Sequence, residues 1–124
     1  MIEPSFTSKR STTRDTGIRG EDYVCDRLRE NGFNILERNV SEKFAEIDIV
    51  AKDGDILCFI EVRTRKDTTL GHPAETITPS KIKSIRRAAE AYLVRHRVAP
   101  CPIRFDVATI VWDTMEYQYI TDAF

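Results

Sequence analysis

Four side chains in one stretch of the chain have the types and spacing for phosphate or metal chemistry. The stretch runs from Ala45 to Arg65, AEIDIVAKDGDILCFIEVRTR. Two apolar runs flank Asp53-Gly54, a dipeptide that favours the positive φ of a tight hairpin turn. With that pair at the tip, Lys52 faces Asp55, Val50 faces Leu57, Asp48 faces Phe59 and Glu46 faces Glu61. Alternation along each strand puts Glu46, Asp48, Glu61 and Arg63 on one face. Ile47, Ile49, Ile56, Cys58, Ile60 and Val62 fall on the other, which should pack against a helix.

The acidic face also carries Val50, Leu57 and Phe59, so it is not a simple solvated surface. Carboxylates among such neighbours are costly to ionise without compensation. Asp48 and Glu61 would be diagonal neighbours about 7–8 Å apart. Their carboxylates can converge on a hard cation. Mg²⁺ takes one or two protein carboxylates and otherwise keeps water or binds phosphate. The competing reading is structural: Glu46, Glu61, Arg63 and Arg65 forming cross-strand ion pairs at the surface.

The rest of the chain must position this face. At 124 residues it is one domain, with a flexible tail expected over residues 1–15 and the folded domain over 16–124. The formal net charge is −1, so overall charge does not indicate a nucleic-acid partner, and only the distribution of charge can. No apolar run is long enough for a membrane span, and no apolar leader is seen. Cys25, Cys58 and Cys101 lack metal-ligand spacing, and Cys25 and Cys58 fall in apolar patterns. They read as reduced thiols, and the expected location is cytoplasmic. His72 and His96 form no ligand pattern.

Thr16 to Asn31 has helical periodicity, with Asp15 or Thr16 as N-cap and Gly32 as the stop. Val24, Cys25 and Leu28 make its buried stripe, and Glu21 lies at the head of the same stripe. It is either a first-turn acid favoured by the helix dipole or a third acid delivered to the Asp48/Glu61 face. Gly20 beside it permits close approach. Phe33 to Asn39 reads as a strand, and Lys66 to Thr76 as a loop. Thr78 and Pro79 open a second helix, expected to run to Val98. Ile82, Ile85, Ala89, Tyr92 and Leu93 form its apolar stripe. Its remaining surface is basic: Lys81, Lys83, Arg86, Arg87, Arg95 and Arg97 are opposed only by Glu90. That bias favours an anionic partner. Ile103 to Trp112 and Met115 to Ile120 complete a second hairpin. The order of elements predicts a mixed α/β sheet covered by helices.

These pieces, in this order, resemble the YraN-like family of small bacterial proteins, from Gly17 to about Ile110. The matching segments are GIRGEDYVCDRL, LERN, AEIDIV, IEVRTR, the helix from Lys81 to Leu93, and RFDVATI. That family is similar to the restriction-endonuclease-like, or PD-(D/E)xK, superfamily, with archaeal Holliday-junction resolvases among its relatives. The resemblance implies a restriction-endonuclease-like mixed β-sheet flanked by helices. It also implies a metal-dependent endonuclease acting on DNA, including branched DNA, in repair or recombination. By position, Glu21, Asp48, Glu61 and Arg63 fill the catalytic places, and Asp48 and Glu61 would hold Mg²⁺ or Mn²⁺. Arg65, Lys81, Arg86 and Arg87 would contact substrate. The resolvase analogy points to a homodimer. Two departures stand out: Arg63 replaces the superfamily lysine and, always protonated, cannot be a general base; Ala45 replaces a glycine. A DNA-binding module of this fold without efficient cleavage, and a structural adaptor whose acids only form ion pairs, are the alternatives.

Overall fold

The chain's turns are set by a few glycines and caps, and these fix where the helices meet the sheet. The computed structural model describes residues 13–124. Residues 1–12 of the expected tail lie outside the described residues. Helix α1 spans Thr13–Glu30, so neither Asp15 nor Thr16 caps it. Its end is as read: Gly32 has φ +88°. The N–H of Gly32 donates to Arg29 O and that of Phe33 to Leu28 O, both at 3.0 Å. This double closure is a Schellman motif, and it turns the chain directly into the sheet.

The sheet has five strands in the order β1-β2-β3-β4-β5: Asn34–Ser41, Glu46–Asp53, Ile56–Arg65, Ile103–Val111 and Glu116–Ile120. Only β3 and β4 run parallel, and the crossover between them carries α2, Pro79–Arg95. Helix α2 starts as read: the Thr78 hydroxyl accepts from the N–H of Lys81 at 3.2 Å. The helix ends at Arg95, short of Val98. A short 3₁₀ turn, Pro73–Thr76, interrupts the expected loop. The result is an α/β restriction-endonuclease-like sheet with one helix on each face.

Each face has its own core. On the α1 side, Val24, Cys25 and Leu28 pack on Ile49, Ala51, Cys58, Ile60, Val62, Ala108 and Ile110. On the α2 side, Ala88, Ala89 and Tyr92 cover Val50, Leu57 and Phe59. Ile47 belongs to this second core with its cross-strand partner Val40, not to the α1 face where alternation put it.

The hairpin register differs from the expected one. Asp53 pairs with Ile56 and Lys52 with Leu57, so the two-residue tip is Gly54-Asp55. Gly54 has φ +61°, and Asp55 has no positive φ. Glycine alone in the first central position is the pattern of a type II′ turn, whereas the I′ turn expected at Asp53-Gly54 needs both residues left-handed. The shift is two places, so the change of register by itself moves no side chain to the other face, and Ile47 changes sides only beyond the paired stretch. Continued one step past its last pair, Ile49 with Ile60, this register brings Asp48 opposite Glu61 and not diagonal to it.

Gly20 presses α1 onto β3. A Cβ built there would lie 2.5 Å from Thr64 Cγ2 and 3.7 Å from Val62 Cγ1. Gly20→Ala gains about 1 kcal/mol of helix propensity but meets overpacking of about 1–3 kcal/mol. A lower urea midpoint is expected for Gly20→Ala, and recovery when Thr64→Ala removes the clashing methyl. Additive effects in that double-mutant cycle would show that the two residues do not press on each other.

Candidate functional site

The strands β2 and β3 stop pairing at Ile49 and Ile60, and the acids occupy the mouth that this opens. The N–H of Val62, which a strand partner would ordinarily engage, donates instead to Asp48 Oδ2 at 2.8 Å. Arg63 follows on the same strand. Its Nη1 lies 3.3 Å from Glu61 Oε1 and 3.8 Å from Asp48 Oδ2. The same Nη1 donates to the carbonyl of Val62 at 3.2 Å, which holds the guanidinium over the pair. A cleft of about 410 Å³ opens here, lined by Phe44, Ala45, Glu46, Asp48, Glu61, Arg63, Lys81, Ser84 and Ile85.

The electrostatics follow from burial. Glu61 is only 3% exposed. Its pKa is pushed up from 4.5 to about 8, first by burial, then by the charge of Asp48, against opposing help from Arg63 and Lys81. Burial likewise raises Asp48, opposed by the hydrogen bond from Val62 and by Arg63. Glu21 sits behind the cleft on α1. Burial raises it first and the Asp48 charge second, so the third acid does reach the electrostatic neighbourhood of the pair. Arg38 Nη2 stands 3.7 Å from its Oε1.

Two buried carboxylate oxygens, Glu61 Oε2 and Glu21 Oε1, accept no hydrogen bond from the described residues. A buried acceptor without a donor is costly, and a cation would relieve it. Among the described residues, no group of three or more His, Cys, Asp or Glu side chains is arranged to hold a metal. The metal-capable set is therefore the Asp48/Glu61 pair itself. Two carboxylates with open positions fit Mg²⁺ or Mn²⁺, which complete their shells with water and phosphate.

The structure thus brings Asp48, Glu61, Arg63 and Lys81 to one cleft and places Glu21 behind it. Arg65, Arg86 and Arg87 do not line it. Arg65 ends β3, with its Nε buried and without a hydrogen-bond partner. Arg86 lies over the Phe105 ring at 4.8 Å, and Arg87 over the Phe44 ring at 5.0 Å. Sequence reasoning overlooked Ser84 and Phe44. Ser84 sits one helical turn after Lys81, a spacing visible in the sequence. Phe44 is an aromatic in an otherwise polar connection, and only the fold shows that it borders the cleft.

A mixed five-stranded sheet with a helix on each face, and acids at the splayed end of its central strands, defines the restriction-endonuclease-like class of α/β protein. The chain belongs to the uncharacterised protein family UPF0102, whose model matches residues 20–110. That span holds Glu21, Asp48, Glu61, Arg63 and Lys81. The chain is 36% identical to a UPF0102 protein of Dictyoglomus turgidum over 115 residues, covering 90% of this chain and 98% of that one. It is 39% identical to one of Clostridium kluyveri over 118 residues, covering 92% and 97%. A relative from Chlorobium phaeobacteroides is 46% identical over 97 residues, covering 78% and 77%.

The burial of Glu61 predicts an unusual pH profile. A carboxyl raised in the folded state binds more protons there than in the unfolded chain, so the contribution of Glu61 to stability is greatest below about pH 4.5 and falls as pH rises towards 8. Asp48 and Glu21 act in the same direction. In buffer with EDTA, the urea midpoint of the wild type should decline from pH 5 to pH 8, and Glu61→Gln should flatten that slope. A flat wild-type profile would mean that Glu61 is fully compensated as a carboxylate.

Proposed function

We propose that this chain is a DNA-binding module built on a nuclease fold, gripping a backbone phosphate in the Asp48–Glu61 cleft without efficient cleavage. The observation that carries this reading is the position of Arg63, within 4 Å of both acids. A lysine there can lose its proton and serve as a base, whereas a guanidinium cannot. Arg63 instead offers a fixed charge and several donors suited to phosphate oxygens. Lys81, early in α2, adds a second charge to the lining, and the Ser84 hydroxyl adds a neutral donor. Burial pushes both acids towards their neutral forms, and Glu61, raised to about 8, repels a phosphate less than an ordinary carboxylate would. The other cations of α2, although they do not share one face, add to the longer-range attraction.

A second reading is metal-dependent phosphodiester hydrolysis. It is favoured by the unpaired Oε2 of Glu61, the oxygen a cation would engage. Asp48 and Glu61 would hold Mg²⁺ or Mn²⁺, which when bound activates water and stabilises charge on the phosphate. In this reading Arg63 orients the phosphate, and Glu21 biases Asp48 from behind. Branched DNA as substrate, and a homodimer acting on two symmetric strands, rest on the resolvase resemblance.

The two readings separate in one set of assays on duplex, single-stranded, flap and four-way-junction DNA, with Mg²⁺, Mn²⁺ or EDTA. For the binding module, the wild type binds without cutting. Lys81→Ala weakens binding about 3–10-fold and lowers the salt slope by about 0.9, the signature of one lost phosphate contact. Cutting that needs metal and disappears in Asp48→Asn, which keeps an acceptor for Val62, establishes the hydrolase instead. Absence of both binding and cutting leaves the adaptor reading.

A divalent ion gives a further readout that does not depend on turnover. If the Asp48/Glu61 pair takes the cation, Mn²⁺ at pH 8 raises the melting temperature of the wild type but not of Glu61→Gln. An equal rise in both proteins would place the ion elsewhere.

A further inference from the structure

Among the described residues, the exposed large hydrophobic side chains are Leu36, Phe44, Leu70, Val94, Ile103, Met115 and Ile120. Phe44 is the one aromatic in that group, 44% exposed. It is also flanked by cations: Arg87 Cζ lies 5.0 Å and Lys43 Nζ 5.8 Å from the ring centroid. The ring stands at a boundary. It lines the acidic cleft and also a neighbouring groove of about 510 Å³, whose other walls are Glu42, Arg87, Glu90, Ala91, Val94 and Arg95.

We infer that Phe44 is a stacking platform for an unpaired base, so that the favoured ligand carries a single-stranded nucleotide next to the gripped phosphate. The inference rests on the DNA-binding reading and specifies its substrate class. The platform is held in place from both sides. Glu42 N–H donates to the carbonyl of Ala45 at 3.1 Å, closing the turn that carries Phe44. The Glu42 carboxylate is paired with Arg95 on α2. A ring held this way loses little freedom on binding, which favours stacking.

The chemistry of the groove selects its occupant. Two acids, Glu42 and Glu90, and two cations, Arg87 and Arg95, line it, so it offers no excess of positive charge to draw a phosphate in. Ala91 and Val94 offer an apolar floor, and Val94 is 78% exposed. A flat, uncharged, partly apolar group fits, and a base on Phe44 is such a group. Its own phosphate would stay on the cleft side, with Arg63 and Lys81. Arg87, whose guanidinium is planar, can extend the stack, while Lys43, the more distant cation, is free to turn to the backbone. In a fully paired duplex, no base has a free face to offer. Sequence-tolerant binding of this type uses an aromatic face for the base and cations for the backbone.

The test uses full-length protein with single-stranded oligonucleotides containing 2-aminopurine, and with matched duplexes. Wild-type protein should quench 2-aminopurine fluorescence on binding and prefer the single strand. Phe44→Leu should abolish the quench and reduce the preference for single strand over duplex about tenfold, the scale of one base–aromatic stack. Phe44→Trp should restore both, a rescue that a merely structural ring would not show. Lys81→Ala should weaken single strand and duplex alike. Retention of quench and preference in Phe44→Leu, or equal loss on both ligands, overturns the inference and leaves phosphate binding standing. Failure of the wild type to bind either ligand overturns both.

Discussion

The structure turns on keeping two carboxylates in a place that is expensive for them. Asp48 and Glu61 face each other where β2 and β3 part, and both are driven towards their neutral forms by burial. Compensation is incomplete. Asp48 takes the Val62 N–H that the strand pairing has given up, and Arg63 reaches both acids at 3.3–3.8 Å. Glu61 Oε2 nevertheless stays without a donor. The same chain shows what a completed solution looks like. Asp106, fully buried on β4, accepts from Arg104, from the Tyr119 hydroxyl and from the N–H of Asp122. Those donors tie β5 and the C-terminal turn to the sheet. One buried acid is therefore saturated and structural, and the other is left open. The contrast within one molecule is what the proposed ligand-binding role of the open site rests on.

The scaffold serves that opening. The Schellman closure at Gly32 sends the chain from α1 straight into β1, and Gly20 lets α1 lie against Thr64. Glu21, the next residue, is thereby carried to where the charge of Asp48 reaches it. On the other face, the cap at Thr78 fixes the start of α2, which brings Lys81 and Ser84 to the cleft. Ile85, Ala88, Ala89 and Tyr92 then bury the helix against the sheet and hold those two residues in place.

Much of this was readable from residues alone, for definite physical reasons. The period-2 pattern identified β2 and β3 and their acidic face. That face survived a wrong turn assignment because the register error was two places, an even number. Asp53, Gly54 and Asp55 offer two plausible tips, and which glycine-containing pair closes the hairpin depends on twist, not on composition. The basic residues of α2 were harder. Counted together they suggest one surface, but at about 100° per residue Arg86 and Arg87 point about 140° and 240° away from Lys81. One accordingly covers Phe105 and the other Phe44. The Asp106 network left no trace in the sequence, because an Arg-Phe-Asp stretch on a strand looks like ordinary alternation until the partners on β5 are known.

Arg63 gives the cleft its particular character. A divalent cation at this site would compete with a proton and a guanidinium for the same carboxylate lone pairs. At neutral pH the proton already has a claim on Glu61, whose pKa is pushed to about 8. A metal would have to displace it, so any metal affinity at this site would rise with pH. The guanidinium cannot leave by losing its own proton; it can only move. A lysine in its place could give up its charge as the cation arrives. In the proposed reading, arginine in place of lysine would shift the balance of the site away from a metal-activated nucleophile and towards a standing positive charge beside the two buried acids. In the proposed reading that arrangement would hold a phosphodiester and not cut it, and a cation entering the site would have to share the two acids with Arg63.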